Sequence, residues 1–144
     1  MKQEDKELLL KDLCARLPYG VKCKVWYNDK TLDIKSTGID FYTNTVNLDI
    51  PGDDNAKVYV DNIKPYLFPL SSMTEEQKNQ LTEIWDADMN KALDYAISGE
   101  EGLSDLFKLS AAKKVINWFI KNHFDFQGLI PKELAIDCTN LNVY

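Results

Sequence analysis

"IKPYLFPLSSMTEEQ", Ile63 to Gln77, decides the fold, because the hydrophobic period changes across it. Pro65 and Pro69 fix φ and deny helix, so the chain crosses this stretch extended. Tyr66, Leu67 and Phe68 bring more apolar area than a solvated loop needs. Two readings follow. The segment is a buried joint between a sheet half and a helical half, or an exposed aromatic patch that grips a partner, since Tyr and Phe are enriched in interface cores.

Upstream the period is two. Val21, Cys23, Val25 and Tyr27 alternate with Lys22, Lys24 and Trp26, and Asn28-Asp29 suits a tight hairpin turn. Leu32 and Ile34 return, and Thr37-Gly38 breaks the run. Phe41-Tyr42 and Val46, Leu48, Ile50 form a second hairpin about Thr43-Asn44. Pro51-Gly52-Asp53 turns the chain into Val58-Tyr59-Val60. This predicts an antiparallel β-meander of four or five short strands, open or curled into a small barrel. Ahead of it, Leu9, Leu10, Leu13, Cys14 and Leu17 predict a helix over 4–17, stopped by Pro18-Tyr19-Gly20.

Downstream the period is 3.6. Thr74 with Gln77 fits a capping box, and so does Ser72 with Glu75. Leu81, Ile84, Trp85, Met89, Ala92, Leu93 and Ala96 predict a helix over 75–97. Residues 103–109 suit a short turn of helix. Ala112, Val115, Ile116, Phe119, Ile120 and His123 predict a last helix over 110–122. Gly128 and Pro131 leave the tail irregular or adding one edge strand. The expected architecture is one α+β domain over 1–144: an N-terminal helix plus meander in 1–62, an extended apolar joint in 63–73, and a helical half with an irregular tail in 74–144.

Composition narrows the function classes. The chain has 144 residues and a formal net charge of −6, and Arg16 is its only arginine. An acidic chain is repelled by nucleic acid and anionic membranes, and bidentate recognition of phosphate or guanine is arginine work. Cys14, Cys23 and Cys138 are odd in number and widely spaced, which suits a reducing compartment. No apolar run approaches the roughly 20 residues that span a bilayer. The expected location is the cytoplasm.

Candidates for chemistry are few. His123 is the only histidine. It stands at the predicted end of the last helix, where the dipole favours imidazolium, with Asp125 nearby; a Cys–His pair is the functional reading, a helix-end cap the structural one. Asp88 falls within the apolar stripe of helix 75–97 and needs a partner. It is either a pocket-lining acid or an aspartate that reaches a donor. Asp49, Asp53, Asp54 and Asp61 crowd one turn without ligand spacing. No zinc, Walker, GxGxxG, GxSxG or HExxH motif occurs, so no metal and no cofactor is expected. Lys22 and Lys24 flank Trp26 on the outer sheet face, a pattern compatible with single-stranded nucleic acid. Lys113, Lys114 and Lys121 face either the acidic helix or water.

Three stretches, "LLLKDLCARLPYGVKCKV", "VDNIKPYLFPLSSMTEEQ" and "HFDFQGLIPKELAID", resemble a family of small uncharacterised proteins encoded by gut Bacteroidales and their bacteriophages. They cover about a third of the chain. The resemblance implies a bacterial or phage-infected cell and carries no activity, cofactor or catalytic residue. The functional expectation is a non-enzymatic interaction or adaptor protein, with Tyr66, Phe68, Trp26, Lys22 and Lys24 as the candidate surface and an unidentified protein as partner. Nucleic-acid binding around Trp26 and a small enzyme using His123 are the alternatives. Nothing in the sequence fixes the oligomeric state.

Overall fold

The computed structural model describes residues 1–25, 30–48 and 50–144. The chain divides into two compact units. One comprises Met1–Leu70 with His123–Tyr144; the other is Ser71–Asn122. The expected division put residues 123–144 with the helices. Backbone hydrogen bonds explain why the tail belongs with the sheet: Phe68 donates to the His123 carbonyl, Asp125 to that of Phe68, and Cys138 to that of Leu67.

In the first unit, α1 (Gln3–Arg16) buries Leu9, Leu10 and Leu13. Its buried stripe does not continue to Cys14, which is exposed. It turns instead onto Asp12 and Arg16. Gly20, at φ 73°, takes the left-handed conformation that ends the following turn, where a Cβ would be strained. The strands are β1 (Lys22–Val25), β2 (Lys30–Asp40), β3 (Thr45–Leu48), β4 (Lys57–Tyr59), β5 (Ile63–Leu67) and β6 (Ile136–Asp137), in the order β4-β3-β2-β1-β5-β6. Asp40 accepts from the amides of Tyr42 and Thr43, which shapes the turn into β3. The hairpin expected at Asn28-Asp29 lies outside the described residues, as do Trp26 and Asp49.

The expected antiparallel meander forms over β1–β4, but β5 returns to pair with β1 and β6 adds to it in parallel. β2 pairs with β1 along Lys30–Asp33 and with β3 from Ile34 onward, with a register shift between Ile34 and Ile39. It is thus shared by two three-stranded groups, β5-β1-β2 and β2-β3-β4, and the sheet does not close into a barrel. Its length decides this. Eleven residues give a strand roughly 35 Å long, far more than either four-residue neighbour can cover.

The stretch expected to be a joint is β5. It lies between β1 and β6, with Cys23 opposite Pro65 and Ile136 opposite Tyr66. Pro65, Tyr66 and Leu67 are all buried. Proline is tolerated because β6 runs beside Tyr66 and Leu67 alone. The core of this unit joins Leu9, Leu13, Val25, Leu48, Leu67 and Leu129.

The second unit is a helical hairpin, α2 (Glu75–Ile97) and α3 (Glu101–Lys121). Thr74 caps α2 with a reciprocal capping box to Gln77, the first of the two boxes the sequence offers. The two expected C-terminal helical pieces are one helix. Gly102 falls in its first turn, where the helix has not yet accumulated the interior that glycine weakens.

Candidate functional site

Each unit holds one cluster of buried polar side chains. In the first, Arg16 and Asp12 form a fully buried ion pair one helical turn apart on α1. Nε donates to Oδ2 at 2.7 Å and Nη2 to Oδ1 at 2.9 Å. Nη2 also donates to the Phe124 carbonyl at 2.9 Å, and Gln127 Nε2 donates to Asp12 Oδ1 at 3.2 Å. The guanidinium therefore ties α1 to the tail. Sequence reasoning missed this cluster, although Asp12 and Arg16 stand at the i, i+4 spacing that lets a helix pair them.

His123 sits beside this cluster, at φ 59°, just past the end of α3. Its ring is 8% exposed and stacks on Tyr144 with centroids 4.0 Å apart. Burial, then the nearby Arg16 charge, pushes its pKa down to about 4. The imidazole is neutral at pH 7, not the imidazolium that a helix end alone would favour. Burial outweighs the dipole here. Among the described residues, its Nδ1 meets no hydrogen-bond partner. Asp125 spends both oxygens on the amides of Leu129 and Ile130, each at 2.8 Å. Burial, then Asp137, pushes the Cys138 thiol up to about 11. His123, Asp125 and Cys138 thus lie in one unit without forming an acid–base–nucleophile chain.

Tyr144 completes the arrangement. Its hydroxyl donates to the Tyr66 carbonyl at 3.0 Å and accepts from the Lys22 amide at 3.2 Å. Burial pushes its own pKa up. Phe68 packs on the rings of Phe124 and Tyr144. Tyr66 and Phe68, expected on a binding surface, are thus bound into the sheet and tail. Lys22 and Lys24 are half-buried on β1, and Lys24 stands opposite Lys64 of β5. Among the described residues of this unit, the exposed aromatics are Tyr19, Phe41, Tyr42, Tyr59 and the outer part of Tyr144. Asp61, from the acidic turn, is held by Lys6 at 2.6 Å.

No family model, curated protein or solved structure matches this chain. The reading therefore rests on geometry. Among the described residues, no group of three or more His, Cys, Asp or Glu is placed to hold a metal ion, and no helix is long and apolar enough to cross a membrane.

In the second unit, Asp88 has the partner its burial requires. Ser110 Oγ donates to it at 2.7 Å and Lys114 Nζ at 2.8 Å. These hydrogen bonds, the Lys114 one first, pull the Asp88 carboxyl below its usual range. Tyr95 stacks on Phe107 with centroids 5.4 Å apart. These pairs fix which sides of α2 and α3 meet. The buried residues of the hairpin are Asp88, Ala92, Ser104, Ala111 and Ile120. Several other large side chains are exposed. Trp85 is 41% exposed, Leu93 58%, Leu109 68% and Ile116 43%. At about 100° per residue, Trp85 lies about 60° from Asp88, whereas Leu109 and Ile116 lie about 120–160° from Ser104 and Ala111 and so face away from α2. Met89, Ala112 and Phe119 are half-buried.

Proposed function

We propose that this chain is a non-enzymatic interaction protein that docks through apolar residues exposed on the α2–α3 hairpin. The observation that carries the reading is the exposure of Trp85, Leu93, Leu109 and Ile116, large apolar side chains that the two helices leave in solvent. A single exposed leucine needs no explanation, whereas several large apolar side chains exposed on one helical hairpin point to an interaction site. The neutral His123, stacked on Tyr144, and Asp125, with both oxygens engaged, favour this reading over a small enzyme. The resemblance to proteins of gut Bacteroidales and their phages supports a bacterial or infected cytoplasm as its setting.

The test is a photo-crosslinking residue at position 93, compared with the same residue at Glu83 on the far side of α2. Covalent adducts in the producing cell are expected at position 93 and not at 83. Equal yields at both positions, or none at 93, would reject the reading.

A further inference from the structure

We propose that the slot holding the Tyr144 ring is a binding site for the phenol of a tyrosine side chain, which Tyr144 of the same chain occupies and can vacate. All its walls belong to the first unit, and none is on the α2–α3 hairpin.

The floor of the slot is an open rung of the sheet. β1 and β5 pair with Lys24 opposite Lys64 and Cys23 opposite Pro65, and the register does not extend to Lys22 and Tyr66. Pro65 has no N–H, so its pair exchanges no hydrogen bonds, and the next bonded pair along the ladder would be Lys22 with Tyr66. The Tyr144 hydroxyl stands where the Lys22 amide would meet the Tyr66 carbonyl. It accepts from that amide at 3.2 Å and donates to that carbonyl at 3.0 Å. An ionised carboxylate cannot donate to the carbonyl, and an ammonium cannot accept from the amide. A hydroxyl does both.

The walls select a flat ring. The His123 imidazole lies 4.0 Å from the Tyr144 ring and within 10° of parallel, and Phe68 leans on it from 6.1 Å at 46°. Both walls are anchored without Tyr144. The Phe68 amide donates to the His123 carbonyl at 2.9 Å, and the Phe68 carbonyl accepts from the Asp125 amide at 2.8 Å. Phe68 also packs on Phe124. A slot shaped by its own backbone loses little freedom when a ligand enters. Phenylalanine would fill these walls and leave the rung unsatisfied, whereas serine would satisfy the rung and leave the walls bare.

The occupant is lightly held. Tyr144 is 42% exposed, so its ring can leave without opening the core. From Thr139 onward the other hydrogen bonds are local: Thr139 bonds to Asp137, Leu141 to Cys138 and Val143 to Leu141. Among the described residues, the Tyr144 hydroxyl alone carries this segment's hydrogen bonds to β1 and β5. Segments with few such ties open locally at little cost. A tyrosine presented by another protein makes the same contacts, and Tyr144 is then its internal competitor.

The probe is p-cresol, the tyrosine side chain without its backbone, titrated into isotope-labelled Tyr144→Ala protein and followed by nuclear magnetic resonance. A saturable shift of the Lys22 amide resonance is expected. Toluene, with the ring but no hydroxyl, should bind at least about tenfold more weakly, because a site built to bond a hydroxyl rejects the analogue lacking it. The parent protein should also bind p-cresol at least about tenfold more weakly than the variant, since its own tyrosine keeps most slots filled. No saturable Lys22 shift in the variant, equal affinity for toluene, or equal affinity in the parent would each overturn the proposal. Circular dichroism checks that Tyr144→Ala folds. Should it not, Tyr144→Phe decides: its ring cannot bridge the rung, so p-cresol should displace it and shift the Lys22 amide, and an unmoved resonance would overturn the proposal equally.

Discussion

Replacing Arg16 by methionine is the perturbation that most directly probes how the tail is held. Both members of the Asp12–Arg16 pair are fully buried. The substitution removes two charge-assisted hydrogen bonds to Asp12 and one to the Phe124 carbonyl. Asp12 keeps the amide of Gln127 at 3.2 Å. A single neutral donor does not replace a guanidinium, and breaking a buried pair from one side costs about 3–5 kcal/mol. The Phe124 carbonyl keeps the Phe126 amide at 3.1 Å, so its loss of the guanidinium adds little to that figure. That is a large share of the roughly 5–15 kcal/mol that holds a typical domain. Removing both charges is different. Asp12→Leu with Arg16→Met leaves no buried ion, and apolar replacements of buried pairs are often neutral. The double variant should therefore be more stable than either single one. Urea titration followed by circular dichroism measures all three, read as midpoints at constant slope. An Arg16→Met protein within about 0.5 kcal/mol of the parent, the range of an ordinary surface change, would refute the reasoning. So would a double variant worse than the two singles combined.

Three further outcomes follow from the same geometry. His123 has a folded pKa of about 4 against an ordinary 6.5, so the unfolded chain binds the extra proton between these values and stability falls as pH drops from about 6.5 to 4; His123→Asn, which tolerates the left-handed backbone, should flatten that slope in melts across the same window, and an unchanged slope would count against it. Asp88→Ala should lower the melting temperature more than Asp86→Ala, because only Asp88 is buried with Lys114 and Ser110; its lowered pKa makes its contribution full above the usual carboxylate range and lost in acid, and equal melting temperatures for the two variants at neutral pH would argue otherwise. Phe68→Ala should cost roughly 2 kcal/mol, below the 3–5 of a fully buried phenylalanine, since Phe68 is half-buried; an unchanged urea midpoint would show that the rings of Phe124 and Tyr144 do not depend on it.

Local signals were the most legible part of this fold. The capping box at Thr74 and the length of α2 are written in residues within a few positions of each other, so no distant contact can override them. The long-range partners were not. Nothing near Pro65 says that β5 joins β1 on one side and Ile136 on the other, some seventy residues on. Asp12 and Arg16 lie outside the leucine pattern of α1, and charges are seldom fully buried. The rule fails here because each is the other's partner. Asp88 shows the converse. Its place within an apolar stripe demanded a donor, and Lys114 from α3 supplies it.

The width of the α2 stripe held a further message that periodicity alone does not decode. Ile84, Leu81, Trp85, Met89 and Leu93 span about 180° of the helix, whereas the core-facing stripe of a surface helix is typically near 100° wide. One neighbour cannot cover both edges. In the structure α3 lies over the edge that carries Asp88 and Tyr95, and Leu93 is left 58% exposed on the other. On α3, Ala111 and Ser104 lie on the line that meets α2, while Leu109 and Ile116 lie about 120–160° from it, on the side turned away from α2. Each helix thus carries apolar residues beyond the arc that its one neighbour covers, and periodicity alone does not say which of them stay in solvent.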